Sequence, residues 1–545
     1  MHKLEEEPAS YDKKFTSITK GRNLKSQDWI LERISPDNKV LEVGCGPGTL
    51  ARKMAIKGAK VKAIDKNKEM IEMAVNKPRN KDLDILFQVS TFRDLEIEGD
   101  PYDILVSTFM LSELRPLEQQ LFLRFARNSL KRGGRLLIAG EFVPSGFWKM
   151  SYYLKRWYFK RKLKRMRLKK PKTQNWFLNY IQPLGFKIND RKEWCHGSIK
   201  VFELEKSEQE SNQNEFVYYP VKKKFTGIKA RLRILRCLLT GQIDRVPIEP
   251  GIYKSGNPNK ESPLIATSNY EYTYIKLLRD LKGIDAWVLC IDSDGINVWC
   301  AARGGDFENK QLIEALEATK IEHLVNTKTL ILPQLSAGGI SVPSLPKLAN
   351  NFPFKVKYGP VWSKDLPDYL KMRPKTKPKS MKIANFSLKH RIGAGITHTT
   401  FLFRKVFSLP ILITLFLFFL LNWSSRLIWI GEFVISIVIS NLLLSILFPV
   451  SKFTRKFINK GVLFGFLNLI VISFISLGMN HALSYILLNS VIHFWIGFFS
   501  TMSFSGYTMT TNPKAIQGEY LKFSLINRIL IITGLLFSII SLIYY

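Results

Sequence analysis

The sequence predicts a multidomain chain in which two α/β units in series are followed by an all-α transmembrane bundle of about five helices. Three observations carry that reading. Short apolar strands alternate with helical stretches from Lys39 onward. A second block of buried-strand patterns follows the polar run Ser207 to Glu215. From Val406 long apolar stretches replace the charged composition of everything before them. At 545 residues the chain also exceeds what one hydrophobic core organises.

In the first unit, residues 1–206, the alternation runs VLEV, TLARKMAIKG, VKAID, KEMIEMAVN and ILFQV, the rhythm of a parallel sheet with crossover helices. It continues through YDILVST, a helix from Pro116 to Lys131, the turn Gly133-Gly134, RLLIAGEF, and closing strands at GFKIND and SIKVFELEK. A basic aromatic insertion occupies 148–173 and a polar linker 207–215. The second unit, 216–372, shows strand patterns in DAWVLCID, INVWCAA, TLILPQ and FKVKYGPV. The stretch 373–405, with RPKTKPKSMK, reads as a basic juxtamembrane connector.

Within 406–545, apolar segments near 406–423, 427–449, 461–479, 482–500 and 524–543 are each long enough to span a bilayer. The loop SKFTRKFINK holds four basic residues and no acid. The positive-inside bias therefore puts that loop and the soluble units in the cytoplasm of an inner-membrane, multi-pass protein, with the C-terminus outside. MHKLEEEPAS lacks an apolar h-region, so no secretory signal is expected. His493 and Asn489 fall inside a span, where polar groups serve either function or helix-to-helix hydrogen bonding.

The formal net charge is +36, densest in YYLKRWYFKRKLKRMRLKK, where aromatics interleave with Lys and Arg. Beside a membrane anchor this pattern favours anionic lipid headgroups as a partner over nucleic acid. Five cysteines, Cys45, Cys195, Cys237, Cys290 and Cys300, lack C-x-x-C spacing, which excludes a zinc ribbon, a disulfide framework and an intrinsic iron-sulfur cluster.

The segment Val40-Leu-Glu-Val-Gly-Cys-Gly-Pro-Gly-Thr49 sets Gly44, Gly46 and Gly48 between a strand and a helix, where a ligand can approach the backbone. Asp65 ends the next strand and is placed to accept both ribose hydroxyls of an adenosyl group. A dinucleotide fingerprint wants its third glycine one position later, at Thr49. Glu42, two places before the first glycine, suits a cationic amino-acid ligand better than a pyrophosphate. The pattern therefore favours S-adenosylmethionine.

On these motifs the first unit resembles the Rossmann-like class I methyltransferases. The resemblance implies that Glu42, Gly44, Gly46 and Gly48 line the methionine end, Asp65 holds the ribose and Met70 lies by the adenine. Where that family often has Gly-Asp-Ala, this chain has Ser90-Thr91-Phe92, so Thr91, or its neighbour Asp94, takes the adenine-side place. Methyl transfer from a sulfonium depends on positioning and needs no general base for a good nucleophile.

In the second unit Cys300, beside Trp299, reads on residue type alone as packing. The pieces EPGIYKSGNPNKESPLIATSNY, DAWVLCIDSDGINVWCAA, LILPQLSAGGI and VKYGPVWSKDLPDYL, however, resemble the corrinoid-binding domain of the mercury-methylating corrinoid proteins, relatives of the corrinoid iron-sulfur protein of acetyl-CoA synthesis. FSTMSFSGYTMTTNPKAIQGEY resembles that family's membrane segment. The resemblance implies a cap helix of Asn297, Val298, Trp299 and Ala301 below a corrinoid, with the Cys300 thiolate as axial ligand of cobalt. The family's Gly-Lys-Gly after the second Ala is here Arg303-Gly304-Gly305.

The implied function is a membrane-anchored methyltransferase that uses S-adenosylmethionine and a cysteine-ligated corrinoid to transfer a methyl group to Hg(II) or another metal or metalloid electrophile. A ferredoxin-like iron-sulfur reductant is the implied partner. The alternative is a corrinoid-binding or transport module whose first unit independently methylates lipid, RNA or the corrinoid.

Overall fold

The structure, a computed structural model, describes residues 8–77, 83–96, 99–144, 146–153, 176–207, 228–239, 246–349, 352–372, 377–384, 387–403, 407, 411, 423–449, 456–507 and 513–544. Most of the basic insertion, the polar linker, the predicted span 406–423 apart from three positions, and the basic loop 451–455 lie outside the described residues.

In the first domain, helices α1 (Pro8–Thr19) and α2 (Arg22–Leu31) precede β1 (Lys39–Val43), α3 (Thr49–Ile56), β2 (Lys60–Asp65), α4 (Lys68–Asn76), β3 (Ile85–Val89), β4 (Tyr102–Thr108), α5 (Pro116–Ser129) and β5 (Leu130–Glu141). A short helix α6 (Phe177–Ile181) leads to β6 (Phe186–Trp194) and β7 (Ile199–Lys206). The seven strands order as β3-β2-β1-β4-β5-β7-β6. All neighbours are parallel except β7, which runs antiparallel to both β5 and β6. The central strand β1 is buried from Val40 to Val43, as a parallel strand covered on both faces must be.

The second domain contains α7 (Ile228–Leu239), β8 (Gly251–Ser255), β9 (Leu264–Ser268), α8 (Glu271–Asp280), β10 (Ala286–Ile291), α9 (Val298–Gly304) and α10 (Asn309–Thr319). It continues with β11 (Thr329–Leu332), α11 (Leu345–Leu348), β12 (Lys355–Tyr358) and α12 (Leu366–Lys371). Its sheet orders as β12-β11-β9-β10-β8 and is parallel except for the edge strand β8. One expectation is corrected here. INVWCAA, read as a strand, forms α9. The Asn297 side chain accepts from the Cys300 amide at 3.0 Å as an N-cap, and Gly305 at φ 84° closes the helix. These caps outweigh the strand preference of Ile296, Val298 and Trp299.

Helix α5 joins the two domains. Its Phe122, Leu123 and Ala126 pack in the first domain's core, whereas Leu117 belongs to the second domain's core, with Leu121 packed against it. Around this contact Arg115 donates to the Asp292 carbonyl at 3.4 Å and pairs with Asp306 at 3.6 Å. Arg93 reaches Glu317 at 3.5 Å and Glu314 at 3.8 Å, both on α10.

After α13 (Leu388–Leu402) come α14 (Trp423–Leu447), α15 (Phe457–Gly478), α16 (Leu483–Tyr507) and α17 (Pro513–Tyr544). Four segments among the described residues are long and apolar enough to cross a membrane: Leu427–Leu447, Ile458–Gly478, Leu483–Thr501 and Leu521–Tyr544. They coincide with the last four predicted spans and support membrane association.

Leu117→Ala should cost about 2–5 kcal/mol, the usual range for emptying a buried leucine site. Because that site lies across the domain boundary, the loss should appear as faster proteolysis between the domains, with the β1 amides retaining their hydrogen-exchange protection. Loss of protection throughout the first domain would contradict the placement of Leu117 in the partner core.

Candidate functional site: two cavities on one chain

At the carboxyl ends of β1, β2 and β4, a cavity of about 440 Å³ is lined by Gly44, Gly46, Asp65, Met70 and Thr91 among others. The glycine turn builds it. Gly44, Gly46 and Gly48 have φ of 79°, 52° and 69°, backbone that L side chains rarely adopt. At Gly48 a Cβ would also come within 2.7 Å of the Phe87 ring. Asp65 is fixed from both sides: Oδ2 accepts from the Gly46 amide at 2.9 Å and Oδ1 from the Asn67 amide at 2.9 Å. Asn67 in turn caps α4 and so carries Met70 to the wall. Thr91 donates to Asp94 at 2.5 Å, and both line the cavity.

Two predicted residues do not line it. Gly48 packs against Phe87 and Ala74 behind the turn. Glu42 is 1% exposed beneath it, and its Oε2 has no hydrogen-bond partner among the described residues. Burial, and secondarily the Asp65 charge, push the Glu42 carboxyl up to about 8. A cationic ligand beside Asp65 relieves that strain, so the acidic pair fits an aminoacyl sulfonium. Sequence reasoning gave no hint of Lys310, which reaches this cavity from α10 of the second domain.

A second cavity, of about 370 Å³, lies at the carboxyl ends of β9, β11 and β12, the usual ligand-binding edge of an open α/β sheet. Asn297, Val298, Trp299 and Cys300 line it together with Thr267, Pro333, Leu335 and Trp362. Ala301 does not. It is fully buried in the domain core and lets α9 sit close to the sheet.

The loop that presents α9 is held by Asn269, a residue the sequence reading did not single out. Its Oδ1 accepts from the Ser293 amide at 2.9 Å, the Ser293 hydroxyl at 2.9 Å and the Gly295 amide at 3.1 Å. Its Nδ2 donates to the Ile248 carbonyl at 3.0 Å and to Asp292 at 3.2 Å. Arg303 lies over the Trp299 ring, 5.0 Å from its centroid.

Cys300 is exposed on the cavity wall, whereas Cys290 is fully buried within β10, where burial pushes its thiol well above the ordinary range. Cys45 is likewise buried and raised, Cys195 is exposed, and the Cys237 side chain lies outside the described residues. A thiol presented by a capped helix to an apolar-walled cavity fits a corrinoid, whose metal takes a soft lower ligand.

Asp65→Ala should weaken S-adenosylmethionine binding by about 1–3 kcal/mol, measured by calorimetry, because it removes a fixed acceptor. Equal affinities would refute its role. For Glu42 the folded chain holds the proton up to about 8, against 4.5 without burial. Glu42 therefore withdraws stability as pH rises through that window. Relative to wild type, Glu42→Gln should gain exchange protection at the β1 amides as pH rises across it. A pH-independent difference would contradict the buried, raised carboxyl.

Comparison with known proteins follows the same division. Residues 40–134 match the family described as methyltransferase domain, and residues 228–340 the family described as CO dehydrogenase/acetyl-CoA synthase delta subunit. Among curated proteins, the chain is 35% identical over 104 residues to the acetyl-CoA decarbonylase/synthase complex subunit gamma of Methanopyrus kandleri, covering 19% of this chain and 22% of that protein. The corresponding subunit of Methanothermobacter thermautotrophicus is 31% identical over 125 residues, 23% of this chain and 26% of its own length. The chain thus spans about a quarter of the curated relatives it matches. Among solved structures, an S-adenosylmethionine-dependent methyltransferase of Methanosarcina mazei aligns with 22% identity and a TM-score of 0.27, over 33% of this chain and 96% of that one. The magnesium protoporphyrin IX methyltransferase of Synechocystis aligns with 18% identity and a TM-score of 0.28, over 34% and 82%. The chain therefore joins a methyltransferase domain, an α/β domain that matches the CO dehydrogenase/acetyl-CoA synthase delta subunit family, and, among the described residues, four apolar helices long enough to cross a membrane.

Proposed function

We propose that this protein is a membrane-anchored methyltransferase that binds S-adenosylmethionine in the first cavity and a corrinoid in the second, with Cys300 as the lower ligand of cobalt. It passes the methyl group on to a metal or metalloid electrophile such as Hg(II). The observation that carries this reading is that the domains share α5, and that Lys310 of the second domain lines the cavity of the first. That arrangement favours coupled use of the two sites over two independent activities.

The roles of the chain's own residues follow from their positions. Asp65, pinned by two amides, orients an adenosyl ribose. Burial is the main cause that raises the Glu42 carboxyl, and a cation beside Asp65 would remove the smaller one, so donor binding would lower its affinity for the proton. Asn297 holds the first turn of α9, and Asn269 holds the loop before it, which together fix the direction of the Cys300 thiol. When bound, the corrinoid supplies a cobalt centre that accepts and releases a methyl group. Cys300 would hold the metal as a soft thiolate donor, and chemistry tuned by such a ligand would suit an electron-poor methyl acceptor. The chain has no cysteine pattern for its own iron-sulfur cluster, so we assign reduction of cobalt to a separate ferredoxin-like protein. The positive-inside bias places the soluble domains in the cytoplasm and the C-terminus outside, and the basic aromatic segment by anionic headgroups.

Cys300→Ala should preserve the fold, because removing one sulfur from an exposed position leaves no core cavity. Reconstituted with a corrinoid, the variant should lose the thiolate signature in its visible and paramagnetic resonance spectra and should no longer move labelled methyl from S-adenosylmethionine to Hg(II). Cys290→Ala should keep the signature. A wild-type spectrum from the Cys300 variant would remove the ligand assignment. Label found on lipid or RNA would favour an independent first domain.

A further inference from the structure

Helix α7 gives only one of its sides to the second domain. Ala230 and Ile234 pack into the core that also holds Tyr253, Tyr274 and Leu281. On the same side Arg233 pairs with Glu271, a buried residue of α8. The opposite side is apolar and open. Ile228, Leu232 and Leu235 are 75%, 59% and 49% exposed. Their spacing of four and then three residues returns them to one face of the helix, turned away from Ala230 and Ile234. Lys229 and Arg231, both exposed, flank that face, one on each side.

A helix whose only task was to cover a sheet would be polar on its outer face. Three large apolar side chains standing together there add nothing to the domain core and mark a contact surface. The segment Ile228–Leu239 also holds Lys229, Arg231, Arg233 and Arg236 and no acid.

The surroundings of α7 identify what covers it. Met381 belongs to the same core as Ala230, and from there the chain enters α13 at Leu388. Helix α7 therefore lies on the side of the second domain from which the chain leaves for the bundle, and α13 packs against it. Arg391 of α13 donates to the Ser445 carbonyl at 2.8 Å, and Gly395 leaves no room for a Cβ beside the Ser445 hydroxyl. One turn deeper, His398 Nδ1 lies 2.5 Å from Asn441 Oδ1. Helix α13 thus descends along α14, and its first turn stands at the Leu447 end of the apolar segment Leu427–Leu447. The loop after that end, SKFTRKFINK, holds four basic residues and no acid.

Helix α13 repeats the pattern of α7. Leu388, Ile392 and Ile396 are exposed at four-residue spacing, with Lys389 exposed beside them. Two touching helices with open apolar stripes and basic flanks, at the basic end of a span, have the composition of interfacial amphipathic helices. Cations without acids select anionic headgroups. A second copy of the chain packed on this face would bring the same cations against Lys229 and Arg231, which like charges oppose.

We infer that α7 is an interfacial helix lying on the anionic surface of the bilayer, with Ile228, Leu232 and Leu235 at the acyl-chain boundary and Lys229 and Arg231 on lipid phosphates. This surface belongs to the second domain and is separate from the basic segment 148–173 of the first. The spans hold the chain in the membrane, so α7 sets the orientation of the second domain and can release without loss of the anchor. Trp362 on the wall of the second cavity stacks on His390 of α13, with ring centroids 4.9 Å apart. The α7–α13 pair therefore governs how the second cavity stands against the lipid. The inference rests on the membrane-anchored reading of the chain and not on methyl transfer.

The test uses the full-length protein with photoreactive p-benzoylphenylalanine in place of Leu232, reconstituted in vesicles of phosphatidylcholine with or without phosphatidylglycerol. After irradiation, mass spectrometry of the α7 peptide should show a lipid adduct, several-fold more abundant with phosphatidylglycerol. The same probe in place of Leu86, which is exposed on β3, should give none. Lys229→Glu combined with Arg231→Glu should lower the adduct at 232 several-fold while the chain stays in the vesicles. If the Leu232 replacement fails to fold, the probe replaces Ile228, the most exposed of the three. Absence of a lipid adduct, an adduct to protein instead, equal yields at 232 and 86, or a yield indifferent to phosphatidylglycerol or to the charge reversals would each overturn the proposal. Release of the wild-type chain from the vesicles by alkaline carbonate would instead overturn the membrane-anchored reading on which it rests, leaving the assignment of Cys300 untouched.

Discussion

Helix α5 contributes side chains to two hydrophobic cores, and the relation between the two cavities depends on that sharing. Phe122, Leu123 and Ala126 commit one side of the helix to the first domain, Leu117 belongs to the core of the second, and the partly buried Leu121 packs against both. Burying Leu117 is worth about 1.5–3 kcal/mol, more than an exposed ion pair supplies. The charged contacts then fix direction. Glu314 is among them: burial raises its carboxyl, as does Glu118 across the boundary, while Arg93, Arg115 and Lys310 oppose the rise. Arg93 stands two residues beyond Thr91 in the loop that lines the first cavity. Ordering that loop around a ligand and docking the second domain therefore draw on the same guanidinium.

The two cavities differ as their proposed chemistries require. The first presents the carboxylate of Asp65 on its wall, which suits a cation, with the buried Glu42 behind it. The second is walled by Val298, Trp299, Pro333, Leu335 and Trp362 and carries an exposed thiol, which suits a large, weakly polar ligand with a soft metal. Arg303 is accommodated at the end of α9 without disturbing its capping. It stacks on Trp299 one turn back, and the turn it precedes still closes through Gly305.

Much of this was legible from residues alone, for identifiable reasons. The glycine turn and Asp65 announce themselves because a strand, a left-handed turn and a helix follow within ten residues, a pattern few other sequences satisfy. The last four spans are visible because hydrocarbon admits little else. INVWCAA misled because periodicity is weak over seven residues, and an N-cap side chain decides what β-branched neighbours leave ambiguous. Strands β8 (GIYKS) and β9 (LIATS) are not singled out by their pattern, although they are as long as β1 and β3. The docking of α5 was hidden because Leu117 and Leu121 occupy the same helical repeat as residues facing their own domain. Nor does sequence spacing tell a residue that lines a cavity from one buried behind it, as Glu42, Gly48 and Ala301 are.

A series of contacts runs from the bundle to the first cavity: α14 to α13 through Ser445 and Arg391, α13 to the second cavity through His390 and Trp362, and the second domain to the first through α5. These contacts are unequal. The leucine contact of α5 is buried, whereas His390 is exposed, and Arg93 meets Glu317 at the surface. Surface charge pairs contribute about 0–1 kcal/mol. A rearrangement that brought the two cavities face to face would have to release the α5 leucines, the most costly of the three. Among the described residues, one that tilted the paired soluble domains on the bundle would give up the His390 stack and the contacts of α13 with α7. Motion is therefore cheapest between the membrane and the two soluble domains moving as one, and a methyl group that passes between the cavities must do so across the domain boundary that Lys310 already borders.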